Sequence, residues 1–124
     1  MNVVAWILSA VLALAFVAAG SIKILRSKEQ LLEDPRFAWA EEFSRSLVTF
    51  IGVAEVLGAL GLILPWALDI APVLTPIAAL GLAGTMAGAL VTHARRNELK
   101  ETALPTVVLG VLALVVAAIR FAQL

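Results

Sequence analysis

Residues 47–66 read LVTFIGVAEVLGALGLILPW, an apolar run from Leu47 to Trp66 broken by a single charge, Glu55. A helix needs about 20 such residues to cross the hydrocarbon core of a bilayer. Working outward from it, Asn2 to Ile22 carries no charge, nor does the stretch from about Ala71 to Thr92. The last, from about Ala103 to Gln123, holds only Arg120 near its end. Backbone groups in lipid must find partners within their own segment, so all four runs read as helices. The predicted fold is all-α: one membrane domain over residues 1–124, a four-transmembrane-helix bundle with spans at about 2–22, 47–66, 71–92 and 103–123.

Composition agrees. Of 124 residues, 62% are hydrophobic and 15% charged, and the mean hydropathy is +1.03. Soluble domains are about 45–50% apolar and about 25% charged, so both a soluble globule and a disordered chain are excluded. The net charge of +0 offers no pull toward nucleic acid, and none is expected as a partner. The sequence has no cysteine, which removes disulfides, thiol redox chemistry and thiolate metal sites. Ala18-Ala19-Gly20 looks small enough for a signal-peptide cleavage site. However, the basic residues Lys23, Arg26 and Lys28 follow the apolar run instead of preceding it, so the run reads as a retained helix.

Charge sets the expected topology. Lys23, Arg26, Lys28, Arg36 and Arg45 lie in the first loop, and Arg95, Arg96 and Lys100 in the third; only Arg120 belongs to the other side. Basic loops stay in the cytoplasm, which puts both termini on the non-cytoplasmic side. Trp6 and Trp66 then fall near the outer boundary, where amphipathic rings prefer to sit. The long loop 23–46 mixes Leu31, Leu32, Phe37, Trp39 and Phe43 with Glu29, Glu33, Arg36, Glu41 and Glu42. That pattern suits an amphipathic segment on the cytoplasmic face or capping the bundle, broken in two at Asp34-Pro35.

Helices in lipid associate by close packing, for which small residues are needed. Helix three carries Gly81, Gly84 and Gly88, the last two in G-x-x-x-G spacing. That face suits either an internal contact or a homo-oligomer. On helix two, Val48, Gly52, Glu55, Ala59 and Leu62 share one side at 100° per residue, so Glu55 faces protein. Pro65, Pro72, Pro76 and Pro105 read as punctuating helix ends or first turns, where a missing N–H costs little. Pro76, inside the third run, leaves room for a local kink near its outer end.

Glu55 is the principal chemical signal. A carboxylate at the centre of a span costs on the order of 2.5–3.5 kcal/mol and marks a functional site by default. Lys23 is its candidate partner, about 10 Å away in estimated depth and within reach if helix one continues past Leu25. Alone, Lys23 reads equally as an interfacial anchor. His93, the one histidine, ends helix three beside Arg95 and Arg96. It suits proton transfer or a ligand's polar head, or simply an interaction with the helix C-terminus. Arg120 suits a ligand contact or a snorkelling side chain. One His and a deep acid make no credible metal site, and no metal is expected.

The segments Ala19-Gly20-Ser21-Ile22-Lys23-Ile24-Leu25 and Ile51 to Pro65, Glu55 included, resemble the first- and second-helix signatures of the DoxX-like membrane proteins. Val91-Thr92-His93-Ala94-Arg95-Arg96 and Ala117-Ala118-Ile119-Arg120 are similar to that family's third- and fourth-helix endings. The resemblance implies a four-helix bundle of the bacterial plasma membrane, with relatives linked to membrane oxidoreductase complexes. It supports Lys23, Glu55, His93 and Arg120 as positions to watch, candidates for ligand binding on the residue reading above, without itself assigning them roles. The four-helix plan also looks like vitamin K epoxide reductase, whose thiol chemistry the missing cysteines exclude.

Three functions follow as expectations. In the first, an accessory subunit holds a quinone, lipid or other lipophile non-covalently near Lys23 and Glu55 and supports a membrane oxidoreductase partner. In the second, an isomerase- or cyclase-type enzyme uses Glu55 as general acid assisted by Lys23, which requires a cavity reaching Glu55. A proton-coupled exporter is the third, although small multidrug transporters carry their glutamate on helix one.

Overall fold

The computed structural model describes residues 1–124, the side chain of residue 101 apart. Its long helices are α1 (Asn2–Leu25), α3 (Arg45–Leu68), α4 (Leu74–Arg95) and α5 (Leu99–Ala122). Between α1 and α3 lie a short α2 (Lys28–Leu32) and a 3₁₀ segment (Pro35–Glu42). No strand occurs among the described residues. All four long helices are long and apolar enough to span a membrane.

Each helix ends for a local reason. Ser27 and Gln30 form a reciprocal capping box that starts α2. Asp34 accepts from the Arg36 backbone N–H at 3.0 Å and opens the 3₁₀ segment, with Pro35 at its first position. Ser44 caps α3 by accepting from the Leu47 N–H at 3.1 Å. At the far end of α3, Asp69 turns left-handed (φ 52°) and Ile70 N–H reaches back to the Pro65 carbonyl at 3.1 Å. Asn97 (φ 58°) closes α4 in the same way, with Glu98 N–H on the His93 carbonyl at 2.9 Å. Asn and Asp tolerate this conformation, whereas Ala71 (φ 48°) adopts it at a cost of about 1–2 kcal/mol in the tight reversal before α4.

Two details differ from the sequence expectation. Helix α4 starts at Leu74 instead of about Ala71, so Pro76 sits in its first turn as expected, where the missing N–H breaks no bond, and no kink is needed. Helix α5 starts at Leu99, which leaves Pro105 inside the helix.

The helices pack in the cyclic order α1, α3, α4, α5. Their shared core is Leu12 and Phe16, Ala59 and Leu62, Ala79 and Leu82, with Ala113, Val116 and Ala117. The α3 residues predicted to share a face, Val48, Gly52, Glu55, Ala59 and Leu62, are the buried ones. Outward, Leu14 is 75% exposed, Phe50 69% and Leu104 77%. A soluble surface does not carry so large an apolar belt; lipid covers it. At the basic end, Leu31, Ala40 and Val48 form a second small core with Ile22, Phe37, Trp39 and Phe43, so the first loop is a folded cap over the bundle.

Candidate functional site

The crossing of α1 and α3 determines where Lys23 and Glu55 meet. A Cβ added at Gly20 would lie 2.6 Å from the Gly52 carbonyl oxygen, and one at Gly52 would lie 2.7 Å from that of Gly20. The two backbones therefore touch, as only glycine permits. Lys23 follows Gly20 by three residues and Glu55 follows Gly52 by three. The helices are antiparallel, which separates the pair by about 9 Å along the axes at 1.5 Å per residue. Side chains lean toward the N-terminus of their own helix, so in this arrangement both lean toward each other. Lys23 Nζ donates to Glu55 Oε1 at 2.5 Å. The extension of helix one beyond Leu25 is not required: α1 ends there. Arg45 from α3 holds that end, donating to the Lys23 carbonyl at 2.6 Å and the Ile24 carbonyl at 2.8 Å. These are otherwise orphan helix-terminal acceptors.

Both charged groups are inside the protein; Glu55 is 1% exposed and Lys23 8%. The second carboxylate oxygen, Glu55 Oε2, is buried with no hydrogen-bond partner. Next to the pair lies a cavity of about 450 Å³, lined by α1, α3, α4, α5 and the cap. Phe16, Phe37, Trp39, Phe43 and Met86 make its walls apolar, while Lys23, Glu55, Thr85, Thr92, Thr106 and His93 contribute polar atoms. The Trp39 ring centre stands 5.8 Å from Lys23 Nζ, a cation–π distance.

His93 reaches the same cavity from α4. The left-handed turn at Asn97 brings Glu98 back over it, and His93 Nδ1 lies 2.8 Å from Glu98 Oε2. Arg96 first, then His93, hold the Glu98 carboxyl below its ordinary 4.5. As a carboxylate it only accepts, so the proton of that bond sits on Nδ1. Arg96 also binds Glu41 at 2.9 Å and Glu42 at 3.2 Å, stapling the cap to the α4–α5 loop.

Arg120 is elsewhere. It shares the buried face of α5 with Ala113, Val116 and Ala117, seven, four and three residues earlier, and has no route to snorkel toward lipid. Its guanidinium lies between the rings of Trp6 at 4.9 Å and Trp66 at 4.4 Å. Nη1 donates to Asn2 Oδ1 at 2.8 Å and to Gln123 Oε1 at 2.7 Å, while Nε and Nη2 have no partner. Trp66 follows Glu55 by eleven residues, about 16 Å along α3. Arg120 thus clamps α1, α3 and α5 at the end away from the cavity. Of the four candidate residues, Lys23, Glu55 and His93 converge and Arg120 does not.

Sequence reasoning missed Arg45 and the Arg96–Glu98 pair as positioning groups. A basic residue one position into α3 carries no signal that it will cap α1. Trp39 and Phe43 had a signal, their place in the amphipathic loop, but nothing in spacing tied them to Glu55. No His, Asp and Glu cluster able to hold a metal occurs among the described residues.

Four apolar helices around an internal ion pair and cavity define a multi-pass integral membrane protein. The chain belongs to the DoxX-like family, whose model matches residues 7–117. No curated protein and no solved structure matches it.

Proposed function

We propose that this protein binds a quinone, held as its hydroxyl-bearing quinol, or another lipophilic ligand, with its polar head at Lys23 and Glu55. In this role it serves as an accessory subunit of a membrane redox system in the bacterial plasma membrane. The observation that carries the proposal is Glu55 Oε2: a fully buried, unpartnered acceptor beside an apolar cavity. Leaving such a group unpaired costs about 1–3 kcal/mol, which a ligand's head recovers. The volume, about 450 Å³, falls in the range of small-molecule sites, about 300–1,000 Å³. The basic end, with the cap, faces the cytoplasm in this proposal.

The test is mass spectrometry of lipids extracted from protein purified in mild detergent. One lipophile should be enriched over the membrane extract and lost when Lys23→Met and Glu55→Leu are combined; identical profiles would contradict the proposal.

A second reading is favoured by the cavity reaching Glu55. Lys23 and Glu55 form an acid–base pair there, and His93 adds another group able to move a proton. In an isomerase- or cyclase-type reaction on a lipophilic substrate, Glu55 acts as general acid after taking the shared proton from Lys23, and the proton the substrate later releases returns to the pair. Conversion of the co-purified lipophile on incubation with wild-type protein and not with Glu55→Gln supports this; unchanged lipophile in both rejects it.

A further inference from the structure

The hydrogen-bond inventory of the cavity narrows the ligand's chemistry. Resting on the cavity proposal above, we infer that the occupant is a neutral lipophile whose head is a hydroxyl group, donating to Glu55 Oε2 while accepting from Lys23 Nζ.

Three observations lead there. First, Oε2 is a carboxylate oxygen without a donor, and Nζ uses only one of its three N–H groups on Oε1. A hydroxyl placed against the pair satisfies both sites at once, since it gives one hydrogen and accepts through its oxygen. A carbonyl only accepts and leaves Oε2 unpaired. Second, the Lys23–Glu55 pair is already neutral as a unit. A carboxylate or phosphate head would oppose Oε2, and an ammonium head would compete with Lys23. Third, the threonines on the α4 wall have already spent their protons. Thr85 Oγ1 donates to the Gly81 carbonyl at 3.0 Å and Thr92 Oγ1 to that of Gly88 at 3.1 Å, so each presents only lone pairs to a ligand. His93, Thr106 and the Trp39 indole complete the polar lining. No side chain of the lining donates to Glu55 Oε2, so the missing donor falls to the ligand.

A phenol or hydroquinone and an isoprenoid alcohol share this chemistry, and paired probes separate them. The protein in nanodiscs is titrated with 4-nonylphenol and its methyl ether, 4-nonylanisole, and with farnesol and farnesyl methyl ether. Tryptophan fluorescence is followed and empty nanodiscs are subtracted. Within each pair the O–H donor is replaced by O–CH3 and the rest of the molecule is unchanged. The hydroxyl member of at least one pair should bind about tenfold tighter or more, the factor that about 1.4 kcal/mol represents. The pair that shows it identifies the body as aromatic or isoprenoid. In the combined Lys23→Met, Glu55→Leu variant, whose apolar replacements keep the helix crossing filled, the difference should vanish. Equal affinity within both pairs overturns the inference while leaving a lipophile-binding cavity in place. Hydroxyl preference that survives in the double variant also overturns it. Failure of all four probes to bind removes the cavity proposal and this inference together.

Discussion

Glu55 shows how far a single residue can be read. Its burial, its face on α3 and its need for a partner follow from one charge in an apolar run. The partner's identity also followed, because few cations lie near that depth. What spacing does not reveal is the free oxygen, since that depends on how many donors converge in three dimensions. The pair makes a sharp prediction. Glu55→Ala or Lys23→Ala strands a buried charge and should cost about 3–5 kcal/mol in unfolding free energy. The combined Lys23→Met, Glu55→Leu replacement should leave stability near wild type or above it and abolish ligand retention; thermal unfolding beside lipid analysis separates the two effects. Arg120 is the contrasting case, because a cation near a span's end reads as a snorkeller until its helical face is known. Its planar guanidinium stacks between two rings and donates to two amides, which a lysine ammonium cannot reproduce. Arg120→Lys should therefore lower stability by about 1–2 kcal/mol with occupancy of the distant cavity unchanged. Loss of the lipophile in this variant would mean that the two ends are one site.

At the scale of elements, glycine spacing proved a poor guide to which contact a helix makes. The G-x-x-x-G of α4 stood out in the sequence, yet a Cβ at Gly81, Gly84 or Gly88 meets nothing within 4 Å among the described residues. The close crossing is made by Gly20 and Gly52, one glycine from each helix, with Gly52 on the Glu55 face already read as the packed one. Gly84→Ala should accordingly be neutral or stabilise by up to about 1 kcal/mol through helix propensity. Gly20→Ala forces a methyl against a backbone carbonyl and should cost about 1–3 kcal/mol or more, read from the midpoint of unfolding. The cap is held differently, by charge. Glu98 is depressed below its ordinary 4.5 by Arg96 and His93. Its contribution is therefore complete above about 4.5 and is lost as pH falls through its lower folded value. The Asp34 turn persists further, since Arg36 holds that carboxyl at about 2 against an ordinary 3.8. Trp39 emission, taken as the difference between wild type and Trp39→Phe, should be constant above about pH 4.5 and shift red below it. A shift that begins on the alkaline side would show that these carboxylates do not hold the cap.

For the whole molecule, hydropathy and backbone satisfaction were enough to read four spanning helices, because in lipid those two demands leave few alternatives. Orientation rests on the eight basic residues gathered at one end. Since the chain has no cysteine, Ser27→Cys and Asp69→Cys each provide a single label site. A membrane-impermeant maleimide applied to intact cells should mark position 69 and spare position 27. The cavity was less legible, because it arises where four helices and the cap fail to fill the space among them, a property of no single segment. Its occupant is the most direct test. An experimental density map of the protein in native-lipid nanodiscs should show an elongated molecule among Phe16, Trp39 and Met86, its polar end within hydrogen-bond reach of Glu55 Oε2. Side chains closed over that carboxylate, or a cavity holding only water, would contradict a ligand-binding role.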